Sequence, residues 1–130
     1  MNRTHFDEVL ELLARYYDGL YNLDAEALRG VFSTTASYAT IAAGTPLALP
    51  IDEYLPRLAK RTAPADEGVP YAYRVTSIRF AGENTALAEV ESSMFGHDYS
   101  DLLSLLRIDG AWRVQAKVFE GTPQPQPERA

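Results

Sequence analysis

Apolar residues near the start of the chain recur at three-and-four spacing: Phe6, Val9, Leu10, Leu13, Tyr16, Tyr17 and Leu20. That spacing draws one apolar stripe along a helix and predicts one from about Thr4 to Tyr21. Thr4 and Asp7 supply a hydroxyl and a carboxylate for its first free backbone donors. Asn22-Leu23-Asp24 interrupts the stripe, and Asp24 caps a shorter second helix that buries Ala25, Leu28, Val31 and Phe32. The polar run Ser33–Ser37 reads as a turn, Tyr38–Ala42 as a short strand and Gly44–Pro50 as a loop. Ile51, Tyr54, Leu55 and Leu58 return to helical spacing and predict a short third helix over Ile51–Arg61. Asp52 and Glu53 favour its start, and Pro56 is tolerated only within about its first turn. Thr62–Pro70, with two prolines and a glycine, reads as a loop.

From Tyr71 the period becomes twofold. Tyr71–Phe80, Thr85–Phe95, Tyr99–Ile108 and Ala111–Phe119 read as strands, separated by Ala81-Gly82-Glu83-Asn84, Gly96-His97-Asp98 and Asp109-Gly110, which predicts an antiparallel meander. Asp109-Gly110 is a tight hairpin signal. Leu102, Leu103, Leu105 and Leu106 put bulky apolar groups on both faces of one strand, unlike a strand on a solvated surface. One layer of helices covers one face, and a second copy of the chain is the simplest cover for the other. The expectation is therefore a single α+β domain over residues 1–120, a homodimer through its sheet, with Gly121–Ala130 as a disordered, proline-rich tail.

Charge and composition narrow the partners. Eighteen acidic against twelve basic residues give a net charge of −6, which repels phosphate backbones and anionic lipid, so neither nucleic acid nor a membrane is expected. The chain has no cysteine, which removes disulfides, thiolate nucleophiles and thiolate metal sites together. No apolar run reaches membrane-spanning length, and Met1-Asn2-Arg3-Thr4 leads into an amphipathic helix without a signal-peptide core, so a cytoplasmic location is expected.

Helices first, then a short strand, a small helix and a four-strand meander resembles the layout of the nuclear transport factor 2-like superfamily. The local matches are Tyr16-Tyr17-Asp18-Gly19-Leu20 followed by Asp24, Leu28 and Phe32-Ser33, then the run Asp101 to Val114, then Lys117-Val118-Phe119. The last block is most similar to the small bacterial proteins called putative lumazine-binding, and also to the polyketide-cyclase-like (SnoaL-like) group. The resemblance implies a cone in which a curved antiparallel sheet wraps the first helix around a cavity. That fold hosts isomerases, dehydratases, cyclases, transport adaptors and more, so it does not fix a reaction.

Steroid isomerases of the superfamily use a carboxylate base, a helix-one tyrosine and a protonated acid on a late strand. By resemblance the tyrosine falls on Tyr16, the base near Thr40 and the acid near Ser104. Neither Thr40 nor Ser104 does carboxylate chemistry, and no carboxylate lies between Ser33 and Pro50. The meander offers other groups. A two-residue Asp109-Gly110 loop pairs Leu106 with Arg113, Ser104 with Gln115 and Leu102 with Lys117, and brings Glu89 and Glu91 to the same face. Leu103, Leu105, Trp112, Val114 and Ala116 take the other face.

Two readings follow. In one, the polar face lines the cavity: Tyr16, Lys117 and Glu91 are the catalytic candidates, with Tyr38, Tyr54, Glu89, Ser104, Gln115 and Phe119 binding the ligand. The resemblance favours it, since positions matching Lys117 and Phe119 look into the cavity. In the other, that face is solvated and its charges form surface pairs. Tyr38, Tyr54, Tyr71 and Tyr73 either line a mouth or fill the core. His97-Asp98 reads first as turn chemistry, His5 as exposed and Trp112 as packing. No metal-ligand spacing, phosphate-binding glycine loop or serine elbow is present, and neither metal nor cofactor is expected. The expected function is binding of a small, mostly apolar molecule, with cofactor-independent isomerase, dehydratase or cyclase chemistry if the protein is an enzyme. The alternative is a non-catalytic module that associates with proteins through the sheet.

Overall fold

The computed structural model describes residues 3–66, 68 and 72–124. Helix α1, Arg3–Asn22, presents Val9, Leu12, Leu13, Tyr16, Tyr17 and Leu20 to the interior. Its partner α2, Ala25–Val31, begins at Asp24, whose carboxylate accepts the Ala27 N–H at 3.1 Å. The close approach of the two helices depends on Gly19, where a Cβ would stand 3.0 Å from a Leu28 methyl. Helix α3 spans Ile51–Leu58 and contains Pro56.

Six strands follow the order β2-β1-β6-β5-β4-β3. They are β1 Phe32–Ala42, β2 Thr45–Pro50, β3 Ala72–Phe80, β4 Thr85–Met94, β5 His97–Ile108 and β6 Ala111–Pro123. The expected meander is present as antiparallel β3 to β6. β1 runs parallel to β6, so the full sheet is mixed. The three helices pack on one face of it, over a core that includes Leu103, Leu105, Trp112 and Val114.

Several expectations change in detail. The polar run 33–37 is part of β1, because Phe32 already adopts extended backbone and Gln115 satisfies the polar groups of Ser33 and Thr35. Residues 45–50 form an edge strand rather than a loop. Its prolines are tolerated at an edge, and its hairpin turns through Ala43-Gly44, both at positive φ. The β4–β5 turn is Phe95-Gly96, so β5 starts at His97, two residues earlier than expected. β6 continues to Pro123, past the expected start of the tail; residues 125–130 and Tyr71 lie outside the described residues. His5 is buried instead of exposed, its ring edge-on to Trp112 at 5.8 Å.

One register change matters for function. Leu106 pairs with Arg113 as expected, but between Leu105↔Val114 and Ser104↔Ala116 the ladder skips Gln115. This β-bulge inverts the alternation after it. Lys117 therefore pairs with Leu103 rather than Leu102 and turns to the helix side, while Ala116 and Val118 turn outward.

Candidate functional site

The bulge brings Lys117 inside, where it is 6% exposed. Its Nζ donates to the Tyr16 hydroxyl at 2.7 Å and lies 3.9 Å from Asp101 Oδ2. Asp101, 2% exposed, reaches the same interior from β5, and its Oδ2 accepts the Tyr17 O–H at 2.7 Å. Its Oδ1 has no hydrogen-bond partner. Two consecutive tyrosines of α1 thus hold the two ends of one buried ion pair. Aromatic rings surround the ammonium, with centroids at 4.5 Å for Phe119, 5.2 Å for Tyr16 and 5.7 Å for Tyr38. A ring face attracts a cation, and more so where water is excluded. Tyr38 stacks on Tyr54 at 3.7 Å.

Burial pushes the Tyr16, Tyr17, Tyr54 and Tyr38 phenols above their ordinary value. The Asp101 carboxylate adds to the rise at Tyr16 and Tyr17. These hydroxyls stay protonated at neutral pH, so the wall around Lys117 consists of hydrogen-bond donors rather than bases.

Two adjoining spaces lie on the Lys117 side at one end of the sheet. A chamber of about 30 Å³, bordered by Lys117, Tyr54, Ser92 and Met94, has room for about two waters. Tyr38, Arg61, Phe95, Tyr99 and Phe119 border both this chamber and a vestibule of about 900 Å³. The chamber is therefore the floor of the vestibule. Beneath α1 the interior is filled by side chains, so the hollow sits at the mouth of the cone and not along its axis. Arg61 holds its guanidinium 4.9 Å from the Phe95 ring centroid. His97 stacks near Tyr99, and its Nδ1 lies 3.0 Å from the Phe95 carbonyl, which requires that nitrogen to donate.

Of the residues singled out in the sequence, Tyr16, Lys117, Tyr38, Tyr54 and Phe119 come together here. Glu89, Glu91 and Ser104 share a face as expected, but it is the outer face: Glu91 pairs with Arg74 at 3.0 Å in an exposed position. Gln115 occupies the bulge and tethers β1. Thr40 borders the vestibule and donates to the Phe119 carbonyl. Asp98 is exposed, and hydrogen bonds from Ser93 and Gln124 hold its carboxyl below the usual range. Tyr73 stacks on Tyr17 at 4.7 Å. Sequence reasoning missed Asp101, although its two-residue spacing from Leu103 and Leu105 placed it on the buried face. Among the described residues no cluster of His, Asp and Glu is arranged to hold a metal, and no helix is long and apolar enough to cross a membrane.

The fold has close counterparts among solved structures. An NTF2-like protein of unknown function from Shewanella baltica OS155 superposes with a TM-score of 0.84 at 21% identity, covering 95% of this chain and 98% of the other. A second, from Silicibacter pomeroyi DSS-3, gives 0.80 at 22% identity, covering 94% and 100%. A ketosteroid isomerase-like protein from Erwinia carotovora atroseptica gives 0.71 at 14% identity, covering 94% and 100%. At these identities the likeness establishes the NTF2-like cone alone. No curated protein matches the chain. The family model described as "Putative lumazine-binding" matches residues 4–120, and with the cone and its aromatic mouth in view, the chain belongs to that family.

Proposed function

We propose that this protein binds a small, mostly apolar, ring-bearing molecule in the vestibule, with a polar atom of the ligand directed at Lys117. The observation that carries this reading is the buried ammonium at the floor of an aromatic-lined recess, held by Tyr16 and Asp101 yet still bordering open space. A few polar groups converging in an apolar concavity is the usual form of a small-molecule site. The donor-rich floor suits an oxygen acceptor such as a carbonyl, and would stabilise negative charge developing on that oxygen.

Isomerase, dehydratase or cyclase chemistry would also need a base. Glu91, the sheet carboxylate considered for that role, is on the far side of the sheet, and Asp101 is occupied by Tyr17 and Lys117. Binding is therefore the better supported reading. Titration of the isotopically labelled protein with 2-acetylnaphthalene, a neutral aryl ketone, tests it. Amide shifts should change at Phe95, Tyr99, Lys117 and Phe119, and Tyr16→Phe should weaken binding severalfold while keeping the fold. Changes confined to the outer face, or none up to the solubility limit, would overturn the reading.

A second reading, association through the sheet, is favoured by Leu102 and Val118. These outer-face residues are register partners on β5 and β6 and are 44% and 52% exposed. A homodimer through that face leaves the vestibule free.

A further inference from the structure

The recess differs in charge from the rest of the chain. The protein carries a net charge of −6, yet no carboxylate side chain borders either the vestibule or the chamber among the described residues. Two fixed cations do, Arg61 and Lys117. Lys117 is balanced by Asp101 at 3.9 Å. Arg61 is not: its recorded contact is with the Phe95 ring, and it has no carboxylate partner among the described residues. Among the described residues the recess thus holds one uncompensated positive charge, on the rim between its two compartments.

From this we infer that the ligand is a monoanion: a planar ring system carrying one carboxylate or an equivalent oxyanion, with the charged group on Arg61 and directed toward Lys117 across the chamber, and the ring among Tyr38, Phe95, Tyr99 and Phe119. The inference rests on the binding reading above and adds the charge of the ligand. A guanidinium offers two parallel N–H groups that match one carboxylate. Rings flanking the site provide stacking area for a planar body. A phosphate dianion would need a second free cation beside Arg61, and the other fixed cation at the recess is already paired. Acidic groups elsewhere on the chain repel such a ligand only weakly beyond a Debye length of about 8 Å at physiological salt.

Calorimetric titration of the full chain with 2-naphthoate and with 2-naphthamide, its neutral near-isostere, tests the assignment. The carboxylate should bind about tenfold more tightly at physiological ionic strength, as a charge-assisted hydrogen bond implies. Arg61→Met should bring the two ligands within about twofold by weakening naphthoate alone. Arg74→Met, on the outer face, should leave both unchanged. Equal affinities in the wild-type protein, tighter binding of the amide, or a preference that survives Arg61→Met would overturn the anion assignment and leave the binding reading standing. Failure of both ligands to bind would overturn the binding reading, and this inference with it.

Discussion

Replacing Lys117 with methionine removes a charge from the interior while keeping roughly the same volume, so little cavity forms and the effect is electrostatic. At the observed separation of 3.9 Å, two unit charges attract by about 4 kcal/mol at an effective dielectric constant near 20. Deleting one partner of a buried pair costs about 3–5 kcal/mol, because the other charge stays desolvated. Asp101 would retain the Tyr17 hydrogen bond, which places the expected loss at the lower end, about 3 kcal/mol. For a domain of this size that corresponds to roughly 10 °C in Tm. Urea unfolding followed by far-ultraviolet circular dichroism measures it. The double variant Lys117→Met/Asp101→Asn should recover to within about 1 kcal/mol of wild type, since the amide oxygen still accepts from Tyr17 and no charge remains. A single variant within about 1 kcal/mol of wild type, or a double variant no better than the single, would refute a buried, mutually dependent pair.

Three further outcomes are expected. Burial raises the phenols of Tyr16, Tyr17 and Tyr54 in the folded state, whereas unfolded tyrosine ionises near about pH 10. The unfolded chain therefore loses its protons first, and stability present below about pH 10 falls as pH rises further; absorbance at 295 nm should show these tyrosines ionising only with loss of tertiary structure, and free titration of all eight in the folded protein would contradict this. A Cβ at Gly121 would lie 2.7 Å from Tyr99 Cε1, so Gly121→Ala should displace that ring, cost about 1–2 kcal/mol and weaken aryl ligands at the vestibule. An unchanged Tm with unchanged binding would count against the contact. Val118→Glu should convert a dimer to a monomer in sedimentation, and a wild-type mass near 14.4 kDa would remove the proposed dimer.

Helical stripes and hairpin turns were legible because each is set by neighbours in sequence. The stripe from Phe6 to Leu20 predicts a helix from Thr4 to Tyr21, one residue short of α1 at each end, and Asp109-Gly110 gives a turn with both central residues at positive φ. Tyr16 and Lys117, 101 positions apart, are both expected at the cavity, and the structure brings them into direct contact, but the route that placed Lys117 there was wrong. It assumed regular alternation to Lys117 and so left it beside Glu91. The skipped residue at Gln115 has no local signature; its reason is a tertiary one, the bonds from Gln115 to Ser33 and Thr35 on β1. The strand at 45–50 was hidden by its own prolines, which an edge position accommodates. Arg61 and Tyr99 were legible only as the ends of a helix and a strand, and their place at the recess became visible only once the open end of the sheet was formed.

The irregularity at Gln115 also divides the labour along β6. Before it, Trp112 and Val114 are committed to the foundation beneath α1. After it come Lys117, Phe119 and Gly121, which face the receptacle or support its wall. A strand partitioned in this way spends its first half on the foundation and its second on the recess, with Lys117 joining the two through Tyr16.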